Sequence, residues 1–295
     1  MIIAWCAAQL LLVIAAVQLM GRRAWRRAAS ILVLGTAWVL PLSAPAVPLL
    51  RAVLAALAIL ALVKVVQLAV HHEPDRWAPL KRLWHGLMPF DVADAGRVTP
   101  AFDKTLLLAI AFHAGFALLA LLALAYLPRE SGILTNLARL GLGITLAISG
   151  MEAISELIRL LHLLAGIAVS PIQRSPLLAQ SIREFWSERW NLPVNGWLES
   201  LVFRPMNARF GPGTGVMAAF AVSGLLHGWM FLVSIGMVGA IMATAFFVFN
   251  GMFVLIETMF RLRLVAEWKR RVWTLGMLGM ASPLYIEPGL QVLGL

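Results

Sequence analysis

An imidazole stands inside an apolar run, at Ser223-Gly224-Leu225-Leu226-His227-Gly228. Counted from Val216, where the run starts, His227 lies roughly 16 Å along a helix. An ionisable group at that depth in an apolar helix is costly and is a functional candidate by default. Hydrocarbon keeps an imidazole neutral, and a neutral imidazole can accept a proton. Ser223 lies one turn earlier on the same face, where a serine beside a base could carry a covalent intermediate. Gly224 and Gly228 form a small-xxx-small pair that lets another helix approach. The plainer alternative is a histidine that bonds a neighbouring carbonyl and only joins helices.

A second concentration of polar and aromatic groups precedes it, from Arg183 through Phe185-Trp186-Ser187-Glu188-Arg189-Trp190-Asn191 to Pro193. Taken as one helix over residues 175–191, it puts Arg183, Trp186 and Trp190 on one face and Phe185 and Arg189 on another. Such a helix lies in the membrane interface, with indoles at headgroup depth and arginines toward water or phosphate. Leu192 precedes a proline, so the helix is expected to stop near Asn191. The Asn191 amide would then lie at a frayed end, free to donate or accept. A surface helix with no chemistry is the alternative.

The rest of the chain must hold these groups. Hydrophobic residues make up 61% of 295 and charged residues 13%, about half the charged share usual in soluble domains. That composition implies an all-α, polytopic integral membrane protein: one domain over 1–295, with about eight transmembrane helices plus short interfacial ones. The net charge of +10 argues for no nucleic-acid partner, because the basic residues fall in short clusters between apolar runs, the orientation signal of membrane proteins. Those basic loops are expected to be cytoplasmic, in a cell inner membrane, and would attract an anionic, phosphate-bearing ligand. Cys6 is the single cysteine and permits no internal disulfide.

The expected crossings are 2–20, 31–50, 51–70, 105–127, 131–169, 216–233, 236–260 and 272–295. The first reads as a span rather than a cleaved signal peptide. The second should end near Leu40, before Pro41, Pro45 and Pro48. In the third, Lys64 can snorkel to the cytoplasmic surface. Residues 71–104 form a cytoplasmic loop with a short interfacial helix over 76–87, and Pro128-Arg129-Glu130 an outer turn. Residues 131–169 read as one long helix, bent at Gly141, Gly143 and Gly150. Arg261, Arg263, Lys269, Arg270 and Arg271 form the last basic cluster.

Weaker signals have plainer explanations. His71, His72, Glu73, Asp75 and His85 match no standard metal-ligand spacing and read as a solvated loop, so no metal is expected. Glu152, Glu156 and Arg159 share a helical face and suggest an internal ion pair or cavity lining. Gly211-Pro212-Gly213-Thr214-Gly215 lacks the lysine of a phosphate loop and reads as a turn. His113 and Glu257 read as structural hydrogen-bonding groups.

Taken together, Phe185-Trp186-Ser187-Glu188-Arg189-Trp190-Asn191, Leu201-Val202-Phe203-Arg204-Pro205 and Ser223-Gly224-Leu225-Leu226-His227 resemble the membrane-bound O-acyltransferase superfamily. Its wax-synthase-like branch is the nearest, with the signature confined to 183–228. The resemblance implies transfer of an acyl group from acyl-CoA to the hydroxyl of a lipophilic acceptor, in an intramembrane tunnel. It implies acyl-CoA as co-substrate, with no bound cofactor. It makes His227 the catalytic residue and Asn191 its second signature position. The chemistry is compatible: an alcohol needs a base as it attacks a thioester, and the oxyanion needs a donor. The anionic CoA would enter near Arg183, Trp186, Arg189, Trp190 and Arg204. The competing class is a transporter or lipid-handling protein that uses Glu152, Glu156, Arg159 and His227 for cargo or protons.

Overall fold

In lipid a chain must satisfy its own backbone polar groups, and apolar runs of this length do so as helices. The computed structural model describes residues 2–128, 132–261 and 264–295. Arg129, Glu130 and Arg263, named above, lie outside them. In chain order the helices are α1 (Ile2–Leu19), α2 (Ala24–Ser43), α3 (Pro48–His71), α4 (Pro79–Leu87), α5 (Lys104–Tyr126) and α6 (Ile133–Leu164). There follow α7 (Ile182–Glu184), α8 (Leu192–Leu198), α9 (Arg204–Phe210), α10 (Pro212–Ile235), α11 (Met237–Met259), α12 (Glu267–Ala281) and α13 (Pro283–Val292). Strands β1 (Gly96–Arg97) and β2 (Ile167–Ala168) pair antiparallel, Gly96 opposite Ala168.

Among the described residues six helices are long and apolar enough to cross a membrane: α1, α3, α5, α6, α10 and α11. This makes the protein a multi-pass membrane protein, with two of the eight expected crossings below that measure. Helix α2 starts earlier than expected and takes Arg26 and Arg27 into its first turns. The last expected crossing is broken between Ala281 and Pro283, where a proline cannot donate to the preceding turn. The expected turn at 211–215 is also different. Gly211, at φ 87, closes α9, and Pro212 to Gly215 are already the first turn of α10, a position where proline's missing N–H costs nothing.

The chain divides into two compact units: Met1–Val92 with Leu225–Ile241 and Val292–Gly294, and Ala93–Gly224 with Met242–Gln291 and Leu295. In the first unit Val13, Ala16, Val17, Met20, Leu34, Ala61, Val65 and Leu68 form one core. The 72–91 segment is not the solvated loop that its polarity suggested. Arg82, 5% exposed, donates to the carbonyls of Gln18 (3.0 Å), Met20 (2.9 Å) and Pro74, closing the C-terminal end of α1. Arg22 pairs with Glu73 at 2.8 Å and Arg26 with Asp75 at 2.5 Å. The arginines of this basic cluster therefore fasten this segment down. Lys64 does not snorkel. It is fully buried and donates to the Phe90 carbonyl at 2.7 Å, because the 72–91 segment covers it and offers an acceptor.

In the second unit α5 and α6 form a hairpin. Asp103 caps α5 by accepting from the N–H of Thr105 at 2.8 Å, and those hydrogen bonds hold its carboxyl below the usual range. Helix α6 is one continuous element of 32 residues, as expected, and its glycines differ in what they face. A Cβ on Gly143 would stand 2.4 Å from Ile286 Cγ2, while Gly141 and Gly150 face open space. Gly143 is thus a close-packing position against α13. The helix ends through Gly166 at φ 73, the left-handed stop that favours glycine.

Candidate active site

The polar-aromatic segment is not one helix. Residues 185–189 form a π-helical turn, in which the Trp190 N–H donates to the Phe185 carbonyl at 2.8 Å. Widening the turn moves the partners from i+4 to i+5. The Phe185 and Trp190 rings stack with centroids 5.6 Å apart, and Arg189 Nε donates to Glu184 Oε1 at 2.6 Å. Trp190 is then extended, Asn191 takes the left-handed conformation at φ 43, and α8 begins at Leu192. Pro193 therefore opens a helix instead of ending one, its missing N–H falling among the unpaired first-turn donors. Asn191 is a defined corner and not a frayed end.

Four side chains distant in sequence hold this segment. Glu257 of α11, 8% exposed, accepts from the N–H groups of Ile182 (2.8 Å) and Arg183 (3.3 Å), capping α7 from outside. Asn250, fully buried one helical stretch earlier, accepts from Trp186 Nε1 at 3.0 Å and donates to the Phe246 carbonyl at 2.8 Å. Ser155 of α6 accepts from Ile172 N–H at 3.0 Å and Gln173 N–H at 3.4 Å. Gln173 Oε1 in turn accepts from the Asn191 N–H at 3.1 Å. Glu257 fits its structural reading. Asn250, Ser155 and Gln173 are visible only in the fold, since nothing in their local pattern marks a partner 17 or more residues away.

The candidate phosphate and CoA contacts divide by environment. Trp186 is packed within the protein. Its ring packs among Phe220, Phe246 and Phe247, with centroids 5.7–6.0 Å away. Arg189 is committed to Glu184 and to the carbonyls of Arg174 (3.1 Å) and Ser175 (3.3 Å). Arg204 forms a surface pair with Glu199 at 2.9 Å, its side chain 70% exposed; such pairs exchange partners at little cost. Arg183 is exposed and, among the described residues, forms no ion pair. On α6, Glu156 pairs with Arg159 at 2.8 Å, and Glu152 accepts from the Ser175 backbone.

Ser223 and His227 lie one turn apart on α10. Ser223 is 6% exposed and His227 half-buried, and both side chains are engaged by neighbours. With α10 starting at Pro212, His227 is about 22 Å into a helix of about 36 Å. Ser223 and Gly224 belong to the second unit, where Thr244 Oγ1 donates to the Gly224 carbonyl at 3.2 Å. A Cβ on Gly224 would meet the Thr244 carbonyl at 3.2 Å, so the glycine admits α11 as the small-residue pattern implied. His227 belongs to the first unit. There the following turns are fixed by Trp229 packing on Trp38 at 4.3 Å and by Arg51 donating to the Val233 carbonyl at 3.4 Å.

The remaining cluster of titratable groups lies in the first unit. His72 Nε2 is 2.7 Å from Asp91 Oδ2, and His85 Nδ1 is 3.6 Å from Asp91 Oδ1. His85 is fully buried. Its pKa is pushed down to about 4, by burial first and then by the Lys64 charge. Among the described residues no group of His, Cys, Asp and Glu could hold a metal ion. The cluster reads as internal fastening.

Residues 169–249, which include both Asn191 and His227, match the model of the membrane bound O-acyl transferase family. The chain is 38% identical over 96 residues to a protein of Arabidopsis thaliana named probable long-chain-alcohol O-fatty-acyltransferase 1, covering 30% of this chain and 28% of that one. It is 31% identical over 126 residues to the long-chain-alcohol O-fatty-acyltransferase of Simmondsia chinensis, covering 40% and 34%. It is 29% identical over 113 residues to acyl-CoA–sterol O-acyltransferase 1 of Arabidopsis thaliana, covering 36% and 33%. The matches thus span about a third of the length of these relatives.

Proposed function

We propose that this chain, which matches the membrane bound O-acyl transferase family model over residues 169–249, moves an acyl group from acyl-CoA to the hydroxyl of a lipophilic alcohol. In this reading His227 takes the proton of the alcohol as its oxygen attacks the thioester carbonyl. The C–S bond then breaks, and the CoA thiolate recovers that proton from the imidazolium. Asn191 offers its amide to the oxyanion of the tetrahedral intermediate. Water-poor surroundings favour transfer to the alcohol over hydrolysis. The CoA phosphates approach a basic cytoplasmic face, with Arg183, which has no ion pair among the described residues, open to them. Arg204 can exchange Glu199 for a phosphate. Trp190, Arg189 and Trp186 shape the segment beside it.

The observation that carries this reading is the matched segment, in which the two signature positions coincide with a fixed left-handed corner and a polar turn of an apolar helix. The names of the relatives point to long-chain alcohols or sterols as the acceptor class. The transport reading has less support, because Glu152, Glu156 and Arg159 are occupied by internal bonds.

The test is free-thiol release by purified protein given acyl-CoA and a panel of alcohols. Release should depend on the alcohol and disappear in His227→Ala. Alcohol-independent release, or full turnover in that variant, would overturn the assignment. Direct transfer also requires Ser223→Ala to keep most of its activity.

A further inference from the structure

Asn191 is held by three hydrogen bonds, one of which comes from a side chain. The Leu192 N–H donates to the Ile172 carbonyl at 2.9 Å, and the Asn191 carbonyl accepts from Asn195 N–H at 3.0 Å. The Asn191 N–H itself donates to Gln173 Oε1 at 3.1 Å. These bonds fix the peptide planes on both sides of one α-carbon, and so the direction of its Cβ. Gln173 is 2% exposed. Its backbone is tied to Ser155 Oγ of α6, which also receives the Ile172 N–H. The other half of the Gln173 amide is unused. Nε2 is buried and has no hydrogen-bond partner among the described residues.

A buried amide donor without a partner destabilises the fold, and an apolar side chain of the same length would relieve that cost. Glutamine at this place is therefore explained by its oxygen. We propose that Gln173 is a positioning residue: seated on α6 through Ser155, it clamps the Asn191 N–H and aims the Asn191 amide at the reacting thioester. The claim rests on the acyltransferase reading above. It adds a residue that touches no substrate and acts only through Asn191.

The test compares full-length Gln173→Met, Gln173→Glu and Asn191→Gly proteins in lipid nanodiscs. Gln173→Met removes both halves of the amide at similar volume, while Gln173→Glu keeps an oxygen for the Asn191 N–H. In Gln173→Met, kcat for alcohol-dependent thiol release should fall about tenfold to a hundredfold, the scale on which a displaced group costs rate. Its KM values should stay within about twofold, as expected when ground-state binding is untouched. Backbone hydrogen exchange across residues 185–192 should rise, because the Asn191 N–H loses its acceptor. Gln173→Glu should recover most of the loss. In an Asn191→Gly background Gln173→Met should add nothing, because the residue it aims is gone. Should Gln173→Met fail to fold, Gln173→Asn withdraws the amide by one methylene and should show the same exchange and kcat changes.

Unchanged exchange and unchanged kcat in Gln173→Met, beside an Asn191→Gly protein that has lost activity, would overturn this proposal alone. So would a further loss of the residual rate when Gln173→Met is added to Asn191→Gly. Wild-type protein showing no alcohol-dependent release would overturn the acyltransferase reading and the proposal with it.

Discussion

At Asn191 the side-chain type and the backbone conformation explain each other. At φ 43 an L-residue crowds its own carbonyl, and Asn is among the few that enter this region routinely. Glycine enters it freely. Asn191→Gly should therefore keep the melting temperature of the native protein. Asn191→Ala should lower stability by about 1 kcal/mol or more through the left-handed penalty. Thermal unfolding in detergent measures the difference, and both variants should lose alcohol-dependent thiol release. A stability loss in Gly equal to that in Ala would mean the side-chain amide, not the backbone angle, holds the corner. The residue pattern marked this position, but read Pro193 as a helix stop. Leu192-Pro193 suits the first turn of a helix equally well, and only the hydrogen bonds to Ile172 and Gln173 decide between the two.

At the scale of elements, the long apolar helices were legible because hydrophobicity and length alone specify them. Helices α3, α5 and α11 fall within a few residues of their expected bounds. The 172–192 segment was not legible, because its shape is imposed by side chains on α6 and α11. Glu257 drew notice as a charge in a span; Asn250 and Ser155 did not, since each is a single small polar residue in an apolar helix. Glu257 offers a direct test of this imposed shape. Glu257→Leu leaves the Ile182 and Arg183 N–H groups without their acceptor and should cost about 1–3 kcal/mol. It should also open the 182–190 stretch to chymotrypsin. Glu257→Gln retains an oxygen and should lose less. Equal stability in both variants would show that the cap contributes little.

At the scale of the whole molecule, basic residues outside the apolar runs serve as fasteners, as Arg22, Arg26 and Arg82 show. Beneath them, His85 gives the fold a dependence on acidity. Its pKa is about 4 when folded, against an ordinary value near 6.5. Between those values the unfolded chain binds a proton that the native chain refuses. Stability should accordingly be fully present above about pH 6.5 and decline as pH falls toward about 4. His85→Leu should flatten that slope, as read by melting temperature across the pH range. An unaltered slope would place the acid sensitivity elsewhere.

Helix α6 has a consequence for depth. Its 32 residues measure about 48 Å, against roughly 30 Å of hydrocarbon. Keeping all of it inside would demand a lean of about 50°, more than transmembrane helices adopt. Ile133, Leu134 and Leu137, at the opening turns, are 81%, 82% and 60% exposed and uncharged, whereas Glu152, Glu156 and Arg159 lie toward the other end of the helix. The closing turns, with Glu156, Arg159 and His162, must then stand proud of it. The corner hung on Ser155 thus rides at the rim of the bilayer, within reach of both water and lipid.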